Sequence, residues 1–143
     1  EAALGNDPKK LTKSLRHVNE AVRYWSAISL GNDSKLITYK EANFELNKMM
    51  SDEVPAVRIA GARALCKNGQ ANIAIETLKK ELNSDDGWVR LLAAQVLDEI
   101  GEDARTAEKE LQKRIDVNDP NKYVVRVANR ALNVMNRTNN VVK

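Results

Sequence analysis

The chain has 143 residues, of which 43% are hydrophobic and 30% are charged, with 23 Lys and Arg against 20 Asp and Glu. This composition is typical of a folded domain and excludes a disordered chain, and no apolar run reaches the roughly 20 residues that cross a bilayer. The net charge of +3, with both signs interspersed, gives no indication of nucleic-acid binding. A single cysteine, Cys66, and a single histidine, His17, exclude an internal disulfide and a multi-cysteine or histidine-based metal site.

Along the chain, the apolar periodicity predicts alternating outer and inner helices, separated by turns rich in Asp, Asn, Ser, Gly and Pro. Glu1 to Gly5 is typical of a helix end closed by glycine. The predicted outer helices are Pro8 to Arg16, Lys35 to Met50, Ala71 to Leu82 and Ala104 to Ile115. The predicted inner helices are Val22 to Gly31, Val57 to Leu65, Val89 to Ile100 and Val124 to Met135.

These helices form an internal repeat. The outer-helix residues Leu15, Met50, Leu82 and Ile115 are separated by 35, 32 and 33 residues. The first three inner helices each start seven residues after these positions, whereas the fourth starts nine residues after, at Val124. The fourth Val-Arg pair is Val125-Arg126, one residue out of step with the apolar stripe that begins at Val124. We favour the stripe, because a shift by one residue would turn the apolar face of the helix by about 100°.

The repeated pattern is an acidic or Asn-containing turn, then Val-Arg, then alanines and leucine, then glycine, and Asp52 to Gly69 and Asp85 to Gly101 are its best copies. From Leu11 to Met135 the chain resembles HEAT repeats, specifically the short HEAT-like type also found in phycobilisome lyases. The resemblance implies a ladder between adjacent repeats, built from an Asp six residues before the Arg. Asp52 and Arg58 match that spacing, while Asp85 is five residues before Arg90. Arg23 and Arg126 have no acid six residues earlier.

A narrower resemblance rests on Ala21-Val22-Arg23-Tyr24-Trp25-Ser26-Ala27-Ile28-Ser29-Leu30. This segment is similar to the first repeat of the HEAT-like extension that follows the catalytic domain in some bacterial sulfatases. In that family a Cys or Ser, followed by Pro two residues later and Arg four residues later, becomes formylglycine. Cys66 is followed by Lys67-Asn68-Gly69-Gln70, so this motif is absent and the chemistry of such a parent would lie upstream of Glu1.

The candidate functional residues are those that recur in the repeat or that flank it. Arg23, Arg58, Arg90 and Arg126 are expected to form the ladder with acids such as Asp52, or alternatively a row that binds an anionic ligand. Trp88 and Tyr123 precede their apolar stripes and are predicted to be interface anchors, whereas Trp25 is predicted to lie in the core.

Two short basic clusters also stand out, and each is expected to be a solvated helix face or, alternatively, an anion-binding patch. They are Lys9-Lys10 with Lys13 and Arg16, and Lys109 with Lys113-Arg114.

We therefore expect a single all-α domain over residues 1–143, a right-handed α-solenoid of about four HEAT-like helix pairs. The start at Glu1, without Met, favours a fragment of a longer polypeptide. No catalytic residue, cofactor or metal ligand is predicted, so the segment is not expected to be an enzyme. A location outside the cytoplasm is implied if the sulfatase resemblance holds, periplasmic or extracytoplasmic, and a cytoplasmic one otherwise.

The leading hypothesis is a non-catalytic C-terminal sulfatase segment whose partner is its own upstream catalytic domain, on which it packs or whose cleft it shapes. The first alternative is an independent scaffold that binds another protein. The second alternative is a nucleic-acid-binding HEAT-like module that uses the arginine row, and the mixed charge ranks it last. The sequence predicts no membrane partner and does not indicate an oligomeric state.

Overall fold

The computed structural model describes residues 7–33 and 40–143, and every regular element in these ranges is helical. The α-helices are α1 (Pro8–Ser14), α2 (Glu20–Asn32), α3 (Lys40–Lys48), α4 (Pro55–Lys67), α5 (Ala71–Glu81), α6 (Gly87–Ile100), α7 (Glu108–Asp116) and α8 (Lys122–Asn136). Two 3₁₀ segments, Met49–Ser51 and Gly101–Ala107, follow α3 and α6. The prediction of an all-α fold is therefore confirmed. The predicted helix end at Glu1 to Gly5 and the start of the second outer helix lie outside the described residues.

The chain forms two compact units, Glu1–Ala74 and Ile75–Lys143, which are described separately. In the first unit, α2 packs along α4, and small residues allow a close approach of the two helices. A Cβ added at Gly31 would lie 3.1 Å from the Cα of Ala64. At Gly61, an added Cβ would lie 2.9 Å from the Cβ of Met49. The small residues of α4 are thus required where this helix meets its neighbours.

In the second unit, α8 packs against both α6 and α7. The buried residues of α8 follow the stripe that begins one residue before the last Val-Arg pair. They are Val124, Val125, Ala128, Ala131, Leu132 and Met135. Val124 is fully buried and Arg126 is exposed, which is the register that the apolar stripe favours.

The last predicted outer helix begins with a 3₁₀ segment, Gly101–Ala107. A 3₁₀ helix has three residues per turn, so Ala104 and Ala107 share one face, and both are fully buried. Arg105, on the same segment, donates to the carbonyl of Met135. The sequence pattern alone does not distinguish this segment from an α-helix, because two buried alanines three residues apart fit either period.

Candidate interaction surface

Three of the four recurring arginines make the same contact within their own repeat. Each donates from Nη1 to the backbone carbonyl six residues earlier, and so fastens the turn that precedes its inner helix. The three bonds join Arg23 to His17, Arg58 to Asp52 and Arg90 to Ser84, at 2.9, 2.7 and 2.7 Å. The spacing of six residues in the sequence therefore corresponds to a hydrogen bond to the backbone.

Arg23 and Arg90 also hold the aspartate at the start of the next inner helix. Arg23 binds Asp52 through Nε and Nη2, at 2.8 and 3.0 Å. Arg90 binds Asp119 in the same two-bond geometry, at 2.7 and 2.9 Å. Each pair spans 29 residues of sequence. We call these pairs the arginine clamps, because each guanidinium joins the turn of one repeat to the turn of the next.

The second clamp is the more deeply buried. The Asp119 side chain is fully buried, and that of Arg90 is 10% exposed. Arg114 lies 3.5 Å from the same carboxylate and adds a second positive charge. The other Asp119 oxygen accepts the backbone N–H of Asn121 at 2.9 Å. This carboxylate therefore has partners on both oxygens, as a buried charge requires.

The clamps lower the pKa of both aspartates. Burial by itself would raise the pKa of Asp52, but the hydrogen bond from Arg23 and the N–H of Val54 outweigh it and bring the pKa below its ordinary value. The pKa of Asp119 is lowered in the same way: burial opposes the shift, while Arg90 and the N–H of Asn121 impose it. Both carboxyl groups are therefore ionised in the folded protein at neutral pH.

We expect the free energy of unfolding to fall in acid because of these two groups. A carboxyl whose pKa is lower in the folded state stabilises the fold above its unfolded pKa of about 4, and this contribution is lost as the pH falls through the folded pKa. Urea titrations between about pH 6 and about pH 2 would measure the decline. The Asp52→Asn variant, which cannot ionise at this position, should show a shallower decline. An unchanged slope in this variant would contradict the lowered pKa.

The structure identifies a site residue that the sequence pattern does not predict. The expected ladder places an acid six residues before Arg126, and Asp119 is seven residues before it. The signal that could have found it is the apolar stripe, since Asp119 is five residues before Val124, just as Asp52 is five before Val57. When the repeats are aligned on Val57 and Val124, Val125 occupies the position that Arg58 holds in its repeat.

Arg126 consequently takes no part in a clamp. Its guanidinium lies 5.8 Å from the centre of the Tyr123 ring, a cation–π contact, and the side chain is exposed. It has no ion pair with any carboxylate in residues 7–33 and 40–143. Arg126 therefore lies in a different environment from Arg23 and Arg90.

Trp88 and Tyr123 occupy equivalent positions in the first turns of α6 and α8. Their backbone N–H groups are bound by the N-cap side chains, Asp86 for Trp88 at 2.8 Å and Asn121 for Tyr123 at 3.1 Å. Asn121 also donates to the carbonyl of Gly87 at 3.0 Å, which joins the two first turns. The side chains themselves are free of the core, since Trp88 is 66% and Tyr123 is 58% exposed.

We call Trp88, Tyr123 and Arg126 the aromatic surface. All three are exposed and lie in the first two turns of α6 or α8, within the second compact unit. Large exposed aromatic side chains next to an arginine are the residue types that dominate protein interfaces.

Trp25 is a correction to the sequence prediction. The stripe predicts it in the core, but it is 59% exposed, and its ring packs edge-to-face on Tyr24 at 5.1 Å. The buried side of α2 is formed by Ser26, Ala27, Leu30 and Gly31. Trp25 lies at the edge of this stripe, and its indole projects outward. The equivalent position in the repeat of α4 is held by the small residue Ala60, which is buried.

Neither a metal site nor a membrane span is found in residues 7–33 and 40–143. No group of three or more His, Cys, Asp or Glu side chains in these ranges could hold a metal ion. No helix in the same ranges is long and apolar enough to cross a bilayer. Cys66 is partly buried and is not in a disulfide.

Comparison with solved structures shows which fold this is. An engineered protein superposes with a TM-score of 0.66 at 24% identity, over 91% of this chain and 62% of the other. The complex of CpcE and CpcF of phycocyanin lyase from Nostoc sp. PCC7120 superposes with a TM-score of 0.57 at 21% identity, over 92% of this chain and 65% of the other. The chain thus spans somewhat less than two thirds of the length of either. No family model matches the sequence, and no curated protein sequence matches it.

These likenesses show the fold, a HEAT-like helical repeat, which confirms the predicted fold class and the resemblance in fold to the phycobilisome-lyase type. A structural likeness below 25% identity shows the fold and leaves the function open. Function has to be argued from the surface of this chain.

Proposed function

We propose that this protein is a non-catalytic scaffold that binds another protein through the aromatic surface. The observation that supports this most strongly is the pair of exposed rings, Trp88 and Tyr123, which project from first turns that Asn121 joins. A side chain that is more than half exposed and apolar loses unfavourable contact with water when a partner covers it. Rings on linked helices present this area at fixed positions.

The partner is expected to be a protein segment with apolar side chains next to a carboxylate. Trp88 and Tyr123 offer apolar faces, and Arg126 offers a guanidinium that no carboxylate of the described residues neutralises. An acidic side chain of the partner would complete this ion pair while its apolar neighbours cover the rings.

We expect the Trp88→Ala and Tyr123→Ala double variant to bind its partner roughly a thousandfold more weakly, since buried interface aromatics contribute on the order of 2 kcal/mol each and every 1.4 kcal/mol is about tenfold. Affinity capture with the purified chain from cells of its source would identify the partner, and titration would give the Kd. Trp25→Ala is the matched control, because it removes an equally exposed indole from the other compact unit. Unchanged capture by the double variant would contradict the proposal.

The sulfatase hypothesis remains a second proposal, supported by the Ala21 to Leu30 motif. The exposed ring of Trp25 lies within this motif, so a neighbouring catalytic domain would have an apolar contact to cover there. The test is the coding sequence upstream of Glu1. A Cys or Ser followed by Pro two and Arg four residues later would support this origin, and an upstream sequence without it would contradict it.

Nucleic-acid binding is the weakest of the three alternatives. Arg23 and Arg90, which belong to the proposed row, are already bound to carboxylates, so little of their charge is available to phosphates. A filter-binding assay at low and high salt would test it, because phosphate contacts give an affinity that falls steeply with salt.

A further inference from the structure

An open cavity lies between α1 and α3 in the first compact unit, which does not contain the residues of the aromatic surface. Its volume is about 510 Å³, within the range of sites that hold small organic ligands. Four cationic side chains line it: Lys9, Lys13, Arg16 and Lys40. Lys9, Lys13 and Arg16 belong to the first of the two basic clusters in the sequence, and the fold adds Lys40 from a different helix.

The lining carries an excess of positive charge. Two carboxylates, Glu41 and Glu45, also line the cavity, so the four cations and two carboxylates give the lining a net charge of +2. Glu45 is buried and lies 3.5 Å from Arg16 and 3.5 Å from Lys48, so its charge is balanced by two cations. Lys9 and Lys13 are exposed and have no ion pair within the described ranges.

A buried hydroxyl in the lining has no partner. Thr12 is 6% exposed, and its Oγ1 makes no hydrogen bond to any residue in the part of the chain that the structure describes. Buried hydroxyl groups are normally paired, so an unpaired one beside a cavity indicates a polar group that a ligand would bring. The oxygen of an anion accepts such a hydrogen bond, and the hydroxyl proton can rotate toward it.

An apolar ring completes the lining. Phe44 on α3 is 64% exposed, and the ammonium of Lys48 lies 4.4 Å from the centre of its ring. A free tetrahedral anion would leave this ring and most of the volume unused. The lining therefore matches a ligand in which a doubly charged anionic group is attached to an apolar or planar organic group.

We propose that this cavity binds an organic phosphate monoester. Lys9 and Lys13, four residues apart on α1, hold the dianion together with Arg16. Thr12 donates to one of its oxygens, and Phe44 packs against the organic group. The ester is either a free small molecule or a phosphorylated side chain of another protein, and both present the same group to the cavity.

The test is calorimetric titration of the full chain with phenyl phosphate, with inorganic phosphate and with a phosphotyrosine peptide. We expect phenyl phosphate to bind with a Kd of roughly 0.1 to 1 mM, and more tightly than inorganic phosphate. Tighter binding of the peptide identifies a phosphorylated protein as the source, and equal binding identifies a free ester. Absence of saturable binding of phenyl phosphate at about 10 mM would overturn the proposal.

Two variants separate a built site from general attraction by a basic surface. Lys9→Gln with Lys13→Gln should weaken binding of phenyl phosphate roughly tenfold, because it removes two charges close to the dianion. Lys109→Gln with Lys113→Gln is the matched control, since it removes two exposed lysines at the same spacing from α7 and should leave the Kd unchanged. Equal weakening by both would overturn the site.

Thr12→Val tests the hydroxyl. Valine has nearly the same shape, so we expect the melting temperature to be unchanged or higher while the affinity for phenyl phosphate falls severalfold. An unchanged affinity would overturn the role of Thr12 as a donor to the ligand. None of these variants touches Trp88 or Tyr123, so their outcome is independent of the proposed protein-binding function.

Discussion

Asp119→Ala is expected to destabilise the protein by about 3 kcal/mol, because it leaves the guanidinium of Arg90 buried without its carboxylate. Arg114 loses the same partner, and Asn121 loses the oxygen that its N–H binds. Urea unfolding followed by circular dichroism would measure the change. Asp98→Ala is the matched control in the same unit: Asp98 pairs with Arg130, whose side chain is 66% exposed, so its loss should cost less than about 1 kcal/mol.

Replacement of both members of the buried clamp provides the second part of this test. An Arg90→Met and Asp119→Leu double variant removes the buried guanidinium of Arg90 together with its carboxylate and leaves Arg114 without that partner. We therefore expect it to recover part of the stability that Asp119→Ala loses. If Asp119→Ala costs no more than Asp98→Ala, the buried clamp stabilises the fold no more than a surface ion pair does, and the prediction is wrong.

Gly61→Val is expected to destabilise the protein by about 3 kcal/mol through overpacking. An added Cβ would already lie 2.9 Å from the Cβ of Met49 and 2.9 Å from the Cε of Met50. The Met50 side chain can move aside, but the Cβ of Met49 moves only with the backbone of its 3₁₀ segment. Valine adds two further methyl groups to this contact, so α4 has to shift away. Thermal or urea unfolding would measure the loss.

The control for Gly61→Val introduces the same side chain elsewhere in α4. Ala56 is in the first turn and is only partly buried, so Ala56→Val should cost about 0.5 kcal/mol, the difference in helix propensity. Gly61→Ala should fall between the two, since a better helix former is offset by the first part of the clash. Equal stability of Gly61→Val and Ala56→Val would show that α4 does not approach Met49 closely.

Periodicity in the sequence predicts the helices well because it reflects burial directly. The stripe from Val124 fixes the register of α8 against the competing Val-Arg pair, and burial in the structure follows the stripe. Trp25 shows where this reasoning fails. A position in the stripe defines only an angle around the helix. Alanine fits at the equivalent position of α4, Ala60, whereas the tryptophan at the edge of the stripe in α2 is too large for the same space.

The contacts of the candidate site could not be read from spacing alone. The six-residue spacing from Asp52 to Arg58 is real, but it corresponds to a bond with the backbone carbonyl, while the carboxylate of Asp52 binds Arg23. A partner 29 residues away is visible only after the repeats are stacked. The cavity beside Thr12 is hidden from the sequence for the same reason, since Lys40 and Phe44 reach it from a separate helix.

The hydrogen bond from Asn121 to the carbonyl of Gly87 bears on the binding that we propose for the aromatic surface. Asp119 fixes the backbone of Asn121, and Asn121 in turn fixes the first turn of α6, so the Cα positions of Trp88 and Tyr123 are set before any partner arrives. The proposed association would then order the two rings, with two rotatable bonds each, and the longer side chain of Arg126, without the further cost of ordering the backbone. A partner of the proposed kind would therefore meet a backbone arrangement that already exists.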